Sequence, residues 1–458
     1  MQRRWLAACL AALVLAVGAC GGDDGSEATD TTGADGDASA TTGTEGDTSA
    51  TTGAEGESGA ATGSIEVVHA WTGSEGEAFE AVAAGFEEAN PEATVELIQI
   101  PFGEMSSQLT QQFAAGSAPD VMTALPGLIR LFAEQDFLQP MDAQWDTWVE
   151  DGQYNEALRT IATAEDGVTY GVWFKGNVNG LVWYRPSTLE ELGVEVPETW
   201  ADWEAALQAA ADAGMEPVAV GGADQWPLTQ WSDPFLLRIA GIDAFQGLID
   251  GTTSWDDPAV VSSFEGLGQF ISDYFPDNAL DRGFVEATCA WVRGDAAFLN
   301  QGAFVNLVAP AECDESLVAG EDFTFFHMPA IEGDGEPPVF ISGDLFVVNA
   351  ESDAPELATA FATYLGSAEA QTIWAEQGGY IAPNADVAVD VYPNENDARA
   401  AELWPSDADA EAGYDLDDFI GGEVQATERA ALQGFVQNQD VEAFIGEMTS
   451  VAQSVQGG

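Results

Sequence analysis

Basic residues are nearly missing from this 458-residue chain: 11 Lys plus Arg stand against 79 Asp plus Glu, a formal net charge of −68. Such a field repels nucleic acid and anionic membrane surfaces, which excludes both as partners. Lys175 is the only lysine, and Gly176 follows it where a phosphate-binding P-loop needs Ser or Thr. Walker-type nucleotide hydrolysis is thereby excluded, and a lysine Schiff base could be built at that one position alone. Histidine is as scarce: His69 and His327 are the whole supply and no HExxH occurs, so zinc hydrolysis lacks its ligands. The four cysteines show no CxxC spacing, which argues against redox catalysis and a zinc ribbon. What the chain does have is apolar material, 46% hydrophobic and 10% aromatic residues. That is enough for a large core and rules out global disorder, while the length fits two domains plus extras.

The extras come first. Arg3 and Arg4 form a positive start, Trp5 to Val17 an apolar stretch of about 13 residues, and Val17-Gly18-Ala19-Cys20 its end. The stretch is short of the roughly 20 residues a membrane span needs and suits a signal peptide. Its end resembles a bacterial lipobox, so residues 1–20 read as a lipoprotein signal with Cys20 as the lipidated residue. Residues 21–63 are Gly, Ser, Thr, Ala, Asp and Glu, with an imperfect ten-residue repeat starting at Thr31, Thr41 and Thr51. Burial there cannot offset ordering entropy, so this stretch is expected to be a disordered acidic tether. With Cys9 lost and Cys20 lipidated, Cys289 and Cys313 remain. A disulfide between them would close a loop of about 25 residues and contribute roughly 3–4 kcal/mol. The alternative is two separate buried thiols.

From Ser64 onward strand and helix patterns alternate. Ile65 to Trp71 reads as a strand. Phe79, Val82, Ala83 and Phe86 recur at helical spacing before Asn90-Pro91. Thr94 to Ile100 reads as a strand again, Glu104 to Ala115 as a helix, and Val121 to Leu125 as a buried strand. The rhythm returns with Pro217 to Val220, a helix near Pro234 to Ile239, and Phe323 to Phe326. It predicts an α/β fold with parallel strands, helices on both faces and two lobes, with ligand in the cleft between them.

Several stretches then carry a specific resemblance, in order from about Ile65 to Pro383. They are HAWTGSEGEAFEAVAAGFEEANP, AAGSAPDVM, YGVWFKGNVNGLVWYRPSTLEELGVEVPETWADWEAAL, WVRGDAAFLNQGAF, FISGDLFVVNAESDAPELATAFATYLGSAEAQ and EQGGYIAPN. Together they resemble the extracytoplasmic solute-binding proteins of ABC sugar importers, the family 1 carbohydrate-binding type. WPLTQWSDPFLLRIAG, the Cys289–Cys313 region and YDLDDFIGGEV are most similar to the α-glucoside-binding proteins. The resemblance implies a two-lobed periplasmic-binding-protein-like fold of type II, with a hinge and an interlobe cleft. It places lobe one at 64–177 plus 330–366 and lobe two at 180–328 plus 368–458. It further implies a monomer anchored by lipid to the outer face of the cytoplasmic membrane, a sugar ligand, permease subunits as partners, no cofactor and no catalysis.

A sugar offers apolar C–H faces and a rim of hydroxyls, so its receptor needs aromatic planes and Asp, Glu, Asn or Gln around them. Trp71 and Glu75 stand at the first strand-to-helix turn. Asn177 and Asn179 flank the expected crossing between lobes, beside Lys175. Trp226 and Trp231 bracket Pro-Leu-Thr-Gln, and their i, i+5 spacing lets at most one of them share an inward helical face. Gln301 and Phe304 match a glycine-plus-aromatic position where relatives carry Trp, and Gly343 and Asp344 follow a β-run. These ten residues are the expected ligand site. Asp120, in Ala-Pro-Asp-Val, is read instead as ordering its turn through backbone amides.

Two rivals are weaker. A glycoside hydrolase needs two carboxylates about 5–9.5 Å apart, and among 79 acids such pairs carry no information. Asp407, Asp409 and Glu411 alternate like a calcium loop, but Ala412 stands where that loop needs Gly, so a solvated surface and no metal are expected. The net charge also predicts a saline habitat, because self-repulsion opposes compaction unless salt screens it.

Overall fold

The computed structural model describes residues 61–331, 337–405 and 412–456. The signal, Cys20, residues 21–60 of the expected tether and the acids at 407–411 lie outside the described residues, while the tether's expected last residues, Thr62 and Gly63, belong instead to the first strand. Ten strands are described: β1 (Thr62–His69), β2 (Glu92–Gln99), β3 (Val121–Ala124), β4 (Val172–Asn179), β5 (Leu181–Tyr184), β6 (Glu216–Ala219), β7 (Ala296–Gln301), β8 (Thr324–His327), β9 (Val339–Val348) and β10 (Ala412–Tyr414).

They form two sheets. The first runs β10-β9-β3-β1-β2, with β4 paired along the other side of β9; the second runs β6-β7-β5-β8. The first three strands are parallel, as the strand–helix rhythm predicts. The pairings β10–β9 and β6–β7 are parallel too, but β4 and β3 run antiparallel to β9, and β5 runs antiparallel to β7 and β8. Both sheets are therefore mixed. The reason lies in the crossings. β4 ends at Asn179 and β5 starts at Leu181, so one residue, Gly180, carries the chain from the first sheet to the second without a returning helix. Gly180 sits at φ +68°, a conformation that a Cβ would strain.

Local chemistry explains the elements around the cleft. The helix Gly73–Ala89 buries the expected Phe79, Val82, Ala83 and Phe86. The helix Trp200–Asp212 starts on a reciprocal cap, Thr199 Oγ1 accepting from Asp202 N–H and Asp202 accepting from Thr199 N–H. The helix Thr229–Phe235 contains Pro234, and the chain then widens into a π-helical turn at Leu236–Ala240. From that turn the buried Arg238 donates to the carbonyls of Met328 and Pro329, on the second crossing.

One core surrounds Phe79, Phe174, Phe346 and Trp374 under the first sheet, and the other surrounds Trp203, Trp231, Phe235 and Phe270. The expected assignment of everything after 368 to lobe two does not describe the contacts. The helix Ala368–Ala375 packs on Gly73–Ala89, and β10 extends the first sheet by pairing with β9. The helix Leu416–Ile420 buries Leu416 in the second core, and Gly422–Asn438 and Val441–Gln456 pack there with Pro258–Tyr274. Trp374 explains the difference: its ring meets Trp71 at 5.0 Å and Tyr380 at 5.3 Å, which holds this segment to the first sheet. Cys289 and Cys313 are joined by a disulfide with a Cα–Cα distance of 5.0 Å, so the alternative of separate thiols falls away.

Candidate functional site

A cavity of about 580 Å³ opens between elements of the two sheets, within the range of small-molecule sites. Its two walls differ in kind. The first-sheet wall is polar. Lys175 on β4 pairs with Glu75 at the start of the first helix, and its ammonium lies 4.7 Å from the Trp374 ring and 5.7 Å from that of Trp71. Asp344 faces Lys175 across the β4–β9 ladder. Burial raises the Asp344 carboxyl to about 6, against the pull of Lys175 and a hydrogen bond from Trp71. Gly343 beside it has no room for a side chain, since a Cβ would lie 2.4 Å from the Lys175 carbonyl oxygen.

The second wall is aromatic. Trp226, Phe284 and Phe304 form a triangle of ring contacts, 5.3 Å from Trp226 to Phe284, 5.1 Å from Phe284 to Phe304 and 5.9 Å from Trp226 to Phe304. Edge-to-face packing holds these rings in place while Trp226 and Phe304 stay part-exposed to the cavity. Asn177 joins the walls: its Oδ1 accepts from Ala303 N–H at 3.0 Å, and its amide nitrogen reaches Asn179 and the Ser342 hydroxyl. Polar groups on one side and stacked planes on the other, linked at a one-residue crossing, can grip a flat, hydroxylated solute when the lobes close.

A profile of the bacterial extracellular solute-binding protein family matches residues 70–372, the stretch that holds the second sheet, all but β1 and β10 of the first, and most of this cavity. The chain belongs to that family. As an extracellular solute-binding protein it is similar to the alpha-glucosides-binding periplasmic protein AglE of Rhizobium meliloti, 28% identical over 408 residues, 81% of this chain and 86% of that one. The osmoprotective compounds-binding protein GgtB of Synechocystis is 26% identical over 74% of this chain and 80% of its own. Among solved structures a chitin oligosaccharide binding protein superposes with a TM-score of 0.75 at 22% identity, covering 87% of this chain and all of that one. The two-lobed α/β fold is therefore that of the solute-binding proteins. None of the helices in the described residues is long and apolar enough to cross a membrane.

Seven of the ten expected site residues line the cavity of this solute-binding protein: Trp71, Glu75, Asn177, Trp226, Phe304, Gly343 and Asp344. Trp71 does so with one edge, because most of its ring packs into the first core. The other three need correction. Trp231 is 2% exposed and lies against Trp203, Phe270 and Phe275, so it is a core residue of the second lobe. Asn179 stands behind Asn177, donating to Ser342 Oγ at 2.9 Å. Gln301 is sealed inside the second sheet at 2% exposure, at the end of β7 opposite Leu181. Asp120 does order backbone, accepting from Glu66 N–H at 2.8 Å and from the Ser352 hydroxyl.

Sequence reasoning missed Phe284, Gln225, Gln230 and the trio Asp415, Asp418 and Arg429, all of which line the cavity. Phe284 opens a helix whose apolar pattern reads as core, so no local signal marks it. Gln225 carries a positive φ of 68°, visible only in the backbone.

Proposed function

We propose that this protein captures a carbohydrate in the interlobe cleft and delivers it, unaltered, to the permease subunits of an ABC transporter. The observation that carries the reading is the division of the cleft into one hydrogen-bonding wall and one aromatic wall, the pairing a sugar ring requires. Similarity to AglE over four-fifths of both chains favours an α-glucoside as the ligand. Within this reading Trp226 and Phe304 stack on the sugar, Glu75, Lys175, Asn177 and Asp344 bond its hydroxyls, and Cys20 tethers a monomer to the outer face of the cytoplasmic membrane through the acidic linker. An uncharged sugar suits the field of a chain at −68 better than an anionic one.

The test is a calorimetric titration against a panel of mono- and disaccharides in concentrated salt, with the sugar recovered afterwards. Micromolar binding of an α-glucoside, returned intact, supports the reading. Silence across the panel moves the ligand to a non-sugar solute, and cleaved product makes the protein a hydrolase. The same material tests the saline-habitat reading: the melting temperature rises between low salt and about 2 M NaCl as screening relieves self-repulsion, and a flat profile contradicts it.

A further inference from the structure

A group of carboxylates is buried where the far end of the cleft meets the second core, and three of them, Asp417, Glu428 and Asp233, do not line the cavity, so sugar recognition gives no reason for those. Asp415, Asp417 and Asp418 follow β10 at the start of the helix Leu416–Ile420, exposed by only 3%, 0% and 8%. Glu428, from Gly422–Asn438, and Asp233, from Thr229–Phe235, are fully buried around them. One cation answers these five acids: Arg429 donates through Nε to Asp417 at 2.5 Å and through a terminal nitrogen to Asp418 at 2.7 Å. An acid-rich composition accounts for carboxylates in water. It does not account for carboxylates withdrawn from water, where each unpaired charge costs several kcal/mol.

Two further observations point to an occupant. One oxygen from each of Asp415, Asp417 and Asp418 lies within 4.8 Å of the others. Donors on a sphere of metal–oxygen radius about 2.3–2.6 Å are at most about 5 Å apart, so the three oxygens fit a calcium shell. Independently, Asp415 Oδ1, Asp417 Oδ1, both oxygens of Glu428 and Gln230 Oε1 are buried without a hydrogen-bond partner. Gln230 is held at the cluster, since its amide nitrogen donates to Asp415 Oδ2 at 3.3 Å. All of these groups are oxygen donors, which selects a hard cation. The crowding favours Ca²⁺ over Mg²⁺, which keeps most of its own waters.

We propose that Asp415, Asp417 and Asp418, with Gln230, form a site for one Ca²⁺ ion at the end of the cleft. The ion neutralises the charge that Arg429 leaves over. It also ties the segment after β10 of the first sheet to the helix Thr229–Phe235 of the second core. Tyr414, one residue before the cluster, donates to the Gly343 carbonyl at 2.9 Å, so the ion also steadies the strand that presents Asp344.

The proposal does not depend on the sugar reading and is tested without sugar. The purified full-length protein is titrated with CaCl₂ by calorimetry in about 2 M NaCl, which suppresses diffuse binding to surface acids. The expected result is one site per chain and a melting temperature that falls on chelation. Asp415→Asn, which keeps an acceptor for Gln230, should weaken Ca²⁺ binding at least about 100-fold. Asp417→Asn should do the same, but it also disturbs Arg429, so Asp415→Asn decides if that variant does not fold. Absence of a saturable site up to about 10 mM Ca²⁺, with melting unchanged by chelator, overturns the proposal. Equal binding by wild type and Asp415→Asn also overturns it.

Discussion

The two walls of the cleft are built on opposite principles. On the first-sheet side the functional groups are charged and fixed by one another: Lys175 by Glu75, by Asp344 and by the rings of Trp71 and Trp374. On the second-sheet side Trp226, Phe284 and Phe304 fix one another by ring contacts and expose planes rather than polar atoms. The comparison teaches how an acid-rich chain keeps a binding surface from becoming another acidic patch. Its only lysine is spent at the polar wall, and the opposite wall needs no charge.

The sharpest way to break the comparison lies inside the second lobe, where two tryptophans five residues apart have different roles. Trp231→Ala empties a fully packed core position and should cost about 3–5 kcal/mol of folding stability, read by denaturant unfolding, with ligand affinity of the folded fraction little changed. Trp226→Ala should do the reverse, leaving stability nearly intact and losing about 2 kcal/mol of binding, roughly 30-fold in Kd. Equal effects from the two variants would dissolve the distinction between core and wall.

The polar wall is tested through pH. The Asp344 carboxyl sits at about 6 in the folded protein against 3.8 for the ordinary group. Its contribution is fully present below pH 3.8 and is lost as pH rises through 6, so the wild type declines between about pH 4 and 6. Asp344→Asn removes that part of the decline, on the order of 2 kcal/mol once partial exposure to the cleft is allowed for. Parallel stability profiles for the two proteins would show that Asp344 carries no strain. The smallest effect concerns the crossing that joins the walls. Gly180→Ala should cost about 1–2 kcal/mol, because a Cβ is unfavourable at positive φ, and should slow closure more than it weakens packing. A neutral result would mean the crossing relaxes into an ordinary conformation.

Much of this was legible in the sequence, for identifiable reasons. The helix Gly73–Ala89 and strands β1 and β2 follow from local sequence pattern, and β3 from a short apolar run after Gly and Pro, because clear Gly, Asn or Pro punctuation bounds them. Trp71 and Glu75 stood out at a strand-to-helix turn, and Trp226 as one of a closely spaced aromatic pair, whereas Asn177, Phe304 and Asp344 came with the resemblance to the sugar-binding family. Trp231 was not distinguishable from Trp226, since i, i+5 spacing says that one faces inward and not which. Pro234 and the wide turn after it rotate that segment, and only the packed structure shows the result. The antiparallel pairings and the return of residues 368–414 to the first sheet are non-local, set by contacts such as Trp374 on Trp71 that span hundreds of residues. The buried acids at 415–418 were hidden by composition, because among 79 carboxylates a sequence does not mark the few that leave water.

The central claim is that ligand is held between unlike walls, and a crystal structure of the protein with a bound α-glucoside tests it most directly. The account predicts a sugar ring in van der Waals contact with Trp226 or Phe304, with hydroxyls hydrogen-bonded to Asn177, Asp344 or the Lys175–Glu75 pair on the opposite side. A sugar that touches one wall alone, or that binds outside the cleft, contradicts it.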